Sequence, residues 1–211
     1  MIITAVCPAK QHTVTLRFDN GSEIGIDKTV WEESPYGVGS SLSCAECEAL
    51  CELSQRRRAE NKAVFLLSKR DLSRRQLEEK LCREKGQYCK DKRECAAKAA
   101  ARMQELGYVN DERYAYRVAE QLARVKLYPS RRIAEELAKR GIDRELARTA
   151  AASLELDETE LALAFLKKKR YTVPKDSCEA QRIAAAMARY GYGPEAVRRA
   201  LKSLGEELPD D

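Results

Sequence analysis

The chain has 211 residues, with 39 Lys and Arg against 34 Asp and Glu, eight Cys, a single His, and aromatics at only 6%. That length suits one compact domain or two small ones, and an apolar share of 44% excludes a disordered chain. One histidine, His12, leaves no His cluster for a metal and no His pair for acid–base work.

Phosphate-loop, dinucleotide-loop, zinc-protease and serine-hydrolase motifs are all missing, so a binding protein rather than an enzyme is expected, with no cofactor and no small-molecule substrate. No apolar run exceeds the length of Leu161–Leu166, far below the roughly 20 residues of a membrane span. The start, Met-Ile-Ile-Thr-Ala-Val, lacks the basic residues and long apolar stretch of a signal peptide. A cytoplasmic protein with reduced thiols and no membrane partner is the expectation.

Charge is unevenly placed. Residues 1–53 carry a net of −5 and residues 54–211 a net of +10. A small acidic module in front of a larger basic one fits a partner that is a polyanion or an acidic protein surface.

The front reads as a β-hairpin. Val14, Leu16 and Phe18 alternate with polar residues, as do Ile24 and Ile26, which is the period of a half-buried strand. A three-residue loop, Asp19-Asn20-Gly21, pairs Leu16 with Ile24 and Val14 with Ile26, whereas a two-residue turn would mix apolar and charged faces. Residues 32–42, with Pro35, Gly37 and Gly39, read as a linker.

Everything later reads as helix. Ser43, Ser73, Asp91, Asp157 and Asp176 each stand three residues before a Glu or Gln, the spacing of an N-cap box. Asn110 or Asp111, Ser130 and Asp143 supply further caps, and Pro194 suits a first turn. Gly86, Gly107, Gly141 and Gly191 stand where a left-handed residue closes a helix, the last three followed by Tyr108, Ile142 and Tyr192 to pack back on it. These signals give a short helix at 43–53 and nine helices after residue 54.

The helices fall into threes. Leu137-Ala-Lys-Arg-Gly141-Ile142 matches Met187-Ala-Arg-Tyr-Gly191-Tyr192 at an offset of 50 residues, and residues 77–103 form a weaker copy with a polar insertion at Gln87–Lys92. The expected fold is mainly α, with three tandem helix-turn-helix-like repeats in an elongated body behind the hairpin. The expected boundaries are 1–53, 54–108, 109–156 and 157–211.

Gly107-Tyr108-Val109-Asn110-Asp111-Glu112-Arg113-Tyr114-Ala115 closely resembles the signature of the RecX family, regulators of the RecA recombinase. Leu66 to Ser73, Leu77 to Leu81, Arg132 to Ile142 and Arg189 to Tyr192 resemble further stretches in the same order. Before the second helix of the second repeat, where members usually carry glycine, stands Tyr128-Pro129-Ser130. The resemblance implies a non-enzymatic regulator lodged in the groove of the RecA–single-stranded-DNA filament. Such a regulator inhibits ATP hydrolysis, filament growth and strand exchange, with direct DNA contact a further option. The residues of the signature itself, Gly107, Tyr108, Asp111, Tyr114 and Ala115, read as structural: Tyr114, Val118, Leu122 and Val125 share one helical stripe, the mark of a core.

Contacts must then come from exposed charge. Arg56-Arg57-Arg58, Arg74-Arg75, Arg131-Arg132, Lys167-Lys168-Lys169-Arg170 and Arg198-Arg199 are the candidates, with Tyr116, Tyr128 and Tyr171 able to stack on bases beside them. The alternative is a stand-alone DNA-binding protein using its basic repeats, though base-edge readers are sparse near these clusters. Cys44, Cys47 and Cys51 share one helical face, with Cys7, Cys82, Cys89 or Cys95 as possible fourth ligands; since no second Cys-x-x-Cys accompanies them, they read as small hydrophobes and no metal is expected.

Overall fold

The computed structural model describes residues 1–9, 12–83 and 92–206. Gly86, the Asp91 cap, Cys89 and most of the polar insertion lie outside the described residues. The chain divides into two compact units, Met1–Val109 and Asn110–Asp211. Among the described residues no helix is long and apolar enough to cross a membrane.

The first unit opens on a three-stranded antiparallel sheet of β1 (Ile3–Pro8), β2 (Thr13–Phe18) and β3 (Glu23–Asp27), in that order. β2 and β3 pair as expected, Val14 with Ile26 and Leu16 with Ile24, and Gly21 is left-handed at φ 79°. The expected hairpin therefore gains a strand. A bulge between Ile3 and Ala5 breaks the period of β1, which hid it from pattern reading. A one-turn helix, α1 (Lys28–Glu32), follows, capped by the Asp27 carboxylate on the Thr29 N–H.

The expected short helix at 43–53 and the helix after it are one continuous helix, α2 (Cys44–Lys69). Ser43 and Glu46 start it with a reciprocal capping box. No Gly or Pro interrupts the run that follows, so nothing stops the helix at residue 54. Its first half lies under the sheet, where Cys47 and Leu50 pack with Ile3, Leu16, Phe18 and Ile26. Its second half packs with α3 (Arg74–Arg83) and α4 (Lys92–Glu105) around Ala63, Leu72, Leu77, Ala100, Met103 and Val109.

The second unit contains α5 (Asp111–Gln121), a π-helical turn (Leu122–Lys126), α6 (Ser130–Lys139) and α7 (Arg144–Ala152). Then come α8 (Glu158–Lys168), α9 (Ser177–Arg189) and α10 (Pro194–Glu206). One core gathers Tyr114, Val118, Leu122, Ile133, Leu137 and Ile142, and another gathers Phe165, Leu166, Ile183, Met187, Tyr192 and Leu204.

Three expectations fail locally. Val125 is 53% exposed rather than on the core stripe, because the π turn takes up an extra residue and swings it about 100° round the axis. Ser130 does not cap α6: Pro129 holds the cap position without a side-chain bond, and Ser130 is the first helical residue. Tyr108 is 58% exposed, while the neighbouring Val109 is buried and both N–H groups reach the Met103 carbonyl. The short aliphatic side chain fills the space that the aromatic was expected to occupy.

Candidate functional site

The signature residues sort as structure expects of them, Tyr108 apart. Tyr114 and Ala115 are buried in the second unit's first core, Asp111 lies in the first turn of α5 behind the Asn110 cap, and Gly107 is left-handed.

The arginine pairs are each answered by a glutamate about one turn away. Arg74 and Arg75 meet Glu78 and Glu79 at 3.0 and 3.2 Å. Arg131 and Arg132 meet Glu135 and Glu136 at 3.4 and 3.1 Å, and Arg198 and Arg199 share Glu195 at 2.9 and 3.0 Å. On α2, Arg56 pairs with Glu60 at 3.0 Å and Arg57 with Glu33 at 3.2 Å, whereas Arg58 points towards Gly25 of β3. Arg56 and Arg57 line a cleft of about 560 Å³ floored by Leu50 and Leu53, whose walls also carry Glu33, Glu46 and Glu60. Such surface pairs are worth only a few tenths of a kcal/mol, but they bring these clusters close to neutrality.

The run at 167–170 is different. All four residues are exposed, at the end of α8 and just beyond it, with Arg170 left-handed at φ 58°. The Lys168 ammonium donates to the Val125 carbonyl at 2.6 Å, so the ends of the π turn and of α8 meet. That contact brings Arg124 and Lys126 beside the run. Arg124 has Glu120 at 3.3 Å, while among the described residues Lys126, Lys168, Lys169 and Arg170 have no salt-bridge partner. Two helix C-termini offer roughly half a negative charge each, which six cations greatly exceed. The surplus is available to an anion.

The joint beneath this patch is specific. Leu127 is left-handed at φ 58° and packs into the core of α8–α10. Its carbonyl accepts the Tyr192 hydroxyl, which also lies 3.3 Å from the Leu161 carbonyl. Burial, with Glu158 adding to it, pushes the Tyr192 pKa well above the usual phenol value, so the hydroxyl stays a neutral donor. Tyr128, Tyr190 and Phe165 form an aromatic row with centroids 6.5 and 4.7 Å apart. Arg132 lies 5.7 Å over Tyr128, its Nε buried without an acceptor, and Lys169 lies 5.8 Å over Tyr190.

Of the tyrosines read as base platforms, Tyr128 and Tyr171 are half-buried in this joint and Tyr116 is exposed on α5. Arg124 and Lys126 were missed because a single Arg and a single Lys flanking Val125 form no run; only the fold brings them to residues 167–170.

The cysteines of α2 diverge in exposure. Cys44 faces solvent, Cys47 sits in the sheet core and Cys51 is half-buried, burial raising the last two thiols' pKa. Among the described residues no three His, Cys, Asp or Glu converge as a metal site would require. Cys95 is disulfide-bonded, contrary to the expectation of reduced thiols throughout.

A family model, RecX second three-helix domain, matches residues 110–150, which cover α5, the π turn, α6 and most of α7. The regulatory protein RecX of Caldanaerobacter subterraneus subsp. tengcongensis is 28% identical over 165 residues, covering 77% of this chain and 79% of that one. The regulatory protein RecX of Stenotrophomonas maltophilia is 30% identical over 145 residues, covering 67% of this chain and 83% of that one. The chain belongs to the RecX family. A crystal structure of a regulatory protein RecX matches at a TM-score of 0.68, covering 93% of this chain and 97% of that one. At 16% identity that likeness speaks to the fold, a RecX fold whose mainly helical body carries the patch at its π turn.

Proposed function

We propose that this RecX-family protein regulates the RecA recombinase by binding along the RecA–single-stranded-DNA filament, and that it inhibits ATP hydrolysis, filament growth and strand exchange. The observation that carries the contact is the surplus of cations where the π turn meets α8. Among the described residues four of them have no acidic partner, so an acidic RecA surface or DNA phosphates would be met without first breaking an ion pair. Inhibition then follows by mass action: a ligand that binds one filament state better than the others shifts the population towards it. The i,i+4 pairs on α3, α6 and α10 supply further arginines at little cost, since each pair is weak.

The test is steady-state ATP hydrolysis by RecA on single-stranded DNA, titrated with this protein while DNA coverage is held constant. Inhibition at well below one protein per RecA protomer, weakened in Lys126→Glu/Arg170→Glu, supports the reading. Both positions are exposed, so the variant keeps its fold. Unchanged hydrolysis, alongside salt-sensitive binding to naked DNA, would replace it with stand-alone DNA binding through the same patch.

A further inference from the structure

Phe65 lies on the second half of α2, in the first unit, and is 52% exposed. The Lys62 and Lys69 ammoniums, one on each side of it along the helix, both lie 5.3 Å from its ring centroid. From Asn61 to Arg70 the chain has no acidic residue, and Asn61, Val64, Ser68, Lys69 and Arg70 are exposed with it. A buried role is excluded, because Ala63 and the half-buried Leu66 and Leu67 carry the packing of this stretch.

We propose that Phe65, flanked by Lys62 and Lys69, is a stacking platform for one base of a single-stranded nucleic acid. The argument is charge complementarity around a π face. Bases stack on exposed aromatics whatever their sequence, and every base is joined to a phosphate on either side. Lys62 and Lys69 stand seven residues apart, about 10 Å along the axis, with the ring between them. Cation–π contact at an exposed ring is weak, so a base can displace the ammoniums from the ring face, and Lys69 then passes to a flanking phosphate. An aromatic anchor for a protein partner is ordinarily ringed by groups that exclude water; Phe65 is ringed by charge instead. The platform stands independently of the RecA reading, because its ligand is the nucleic acid itself.

The experiment uses the full chain and a 15-nucleotide oligo-dT, without RecA. Phe65→Trp in a Trp31→Phe background places an indole at the platform as the sole tryptophan. Oligo-dT should quench its fluorescence saturably, while inorganic polyphosphate and a duplex of the same length should not. Phe65→Ala should weaken oligo-dT binding roughly tenfold, and Phe65→Leu, which keeps the apolar bulk but not the π face, should weaken it nearly as much. The proposal is overturned if polyphosphate quenches equally, if Phe65→Leu binds like the parent, or if Phe65→Ala leaves oligo-dT binding intact. In the last case, a simultaneous loss of RecA inhibition would make this face a protein contact. Circular dichroism checks that each variant keeps its helical content.

Discussion

Gly191 and Arg132 lie so close that a Cβ on the glycine would stand 3.0 Å from the arginine's Cβ, and 3.6 Å from Cγ of Pro129. Gly191 ends α9 and Arg132 opens α6, so the two three-helix groups of the second unit touch backbone to side chain at this point. Pro129 is fully buried there, and the aromatic row and the Tyr192–Leu127 hydrogen bond lie around it. The joint beneath the cationic patch thus combines a close backbone approach at Gly191 with aromatic and proline packing.

Gly191→Ala tests that closeness. The residue is left-handed at φ 95°, which costs an alanine roughly 1–2 kcal/mol, and the contact with Arg132 adds to it. Gly107 is also left-handed, at φ 75°, but a Cβ there meets nothing within 4 Å. Urea denaturation should show Gly191→Ala costing about 2–3 kcal/mol and Gly107→Ala about 1 kcal/mol. Equal losses would mean that the joint yields freely.

Tyr192→Phe keeps the ring packed against Phe165 and removes the hydroxyl that serves Leu127. Leaving that carbonyl unpaired should cost about 1–2 kcal/mol. The pH dependence has a definite sign. The folded phenol's pKa is raised, so below pH 10 both states are neutral and its contribution is complete. Above pH 10 the unfolded chain ionises first and stability falls. Urea midpoints from pH 8 to 11 should drop more steeply in the parent than in Tyr192→Phe, and parallel slopes would refute the assignment.

Much of this was legible in the residues. Ser43 with Glu46 marked a true helix start, and pairing Leu16 with Ile24 set the hairpin register, because both depend on neighbours in sequence. The expected break after residue 53 is absent from the long α2, because cap signals mark where helices start and nothing in this run, neither Gly nor Pro, stops one. The π turn was invisible, since an extra residue in a helical turn changes hydrogen-bond pairing and leaves the pattern Tyr114, Val118, Leu122 intact up to that point. From there on Val125 and Lys126 face a different way. The six-cation patch could not be read either, as it depends on Lys168 reaching a carbonyl 43 residues earlier.

Arg170 separates stability from binding. It holds a left-handed position where glycine is the usual occupant, and its side chain is exposed. Arg170→Gly removes the backbone strain and adds some unfolded-state entropy, for a net gain of about 0.5 kcal/mol. Thermal melting should rise by roughly 1–2 °C while affinity for the polyanion falls. A variant that is more stable and binds equally well would take Arg170 out of the contact set.

Salt dependence counts the phosphates that the junction meets. Each phosphate neutralised on a single strand contributes about −0.7 to the slope of log affinity against log salt concentration. Among the described residues Lys126 and Arg170 have no salt bridge to release, so each contact they make should appear in full. Lys126→Ala/Arg170→Ala, titrated with oligo-dT between 50 and 200 mM salt, should lower the magnitude of the slope by about 1.4. A double variant at Arg74 and Arg75 provides the contrast, because those side chains already face Glu78 and Glu79 and should change the slope less. An unchanged slope at the junction, with RecA inhibition lost in the same variant, would assign these cations to an acidic protein surface rather than to DNA.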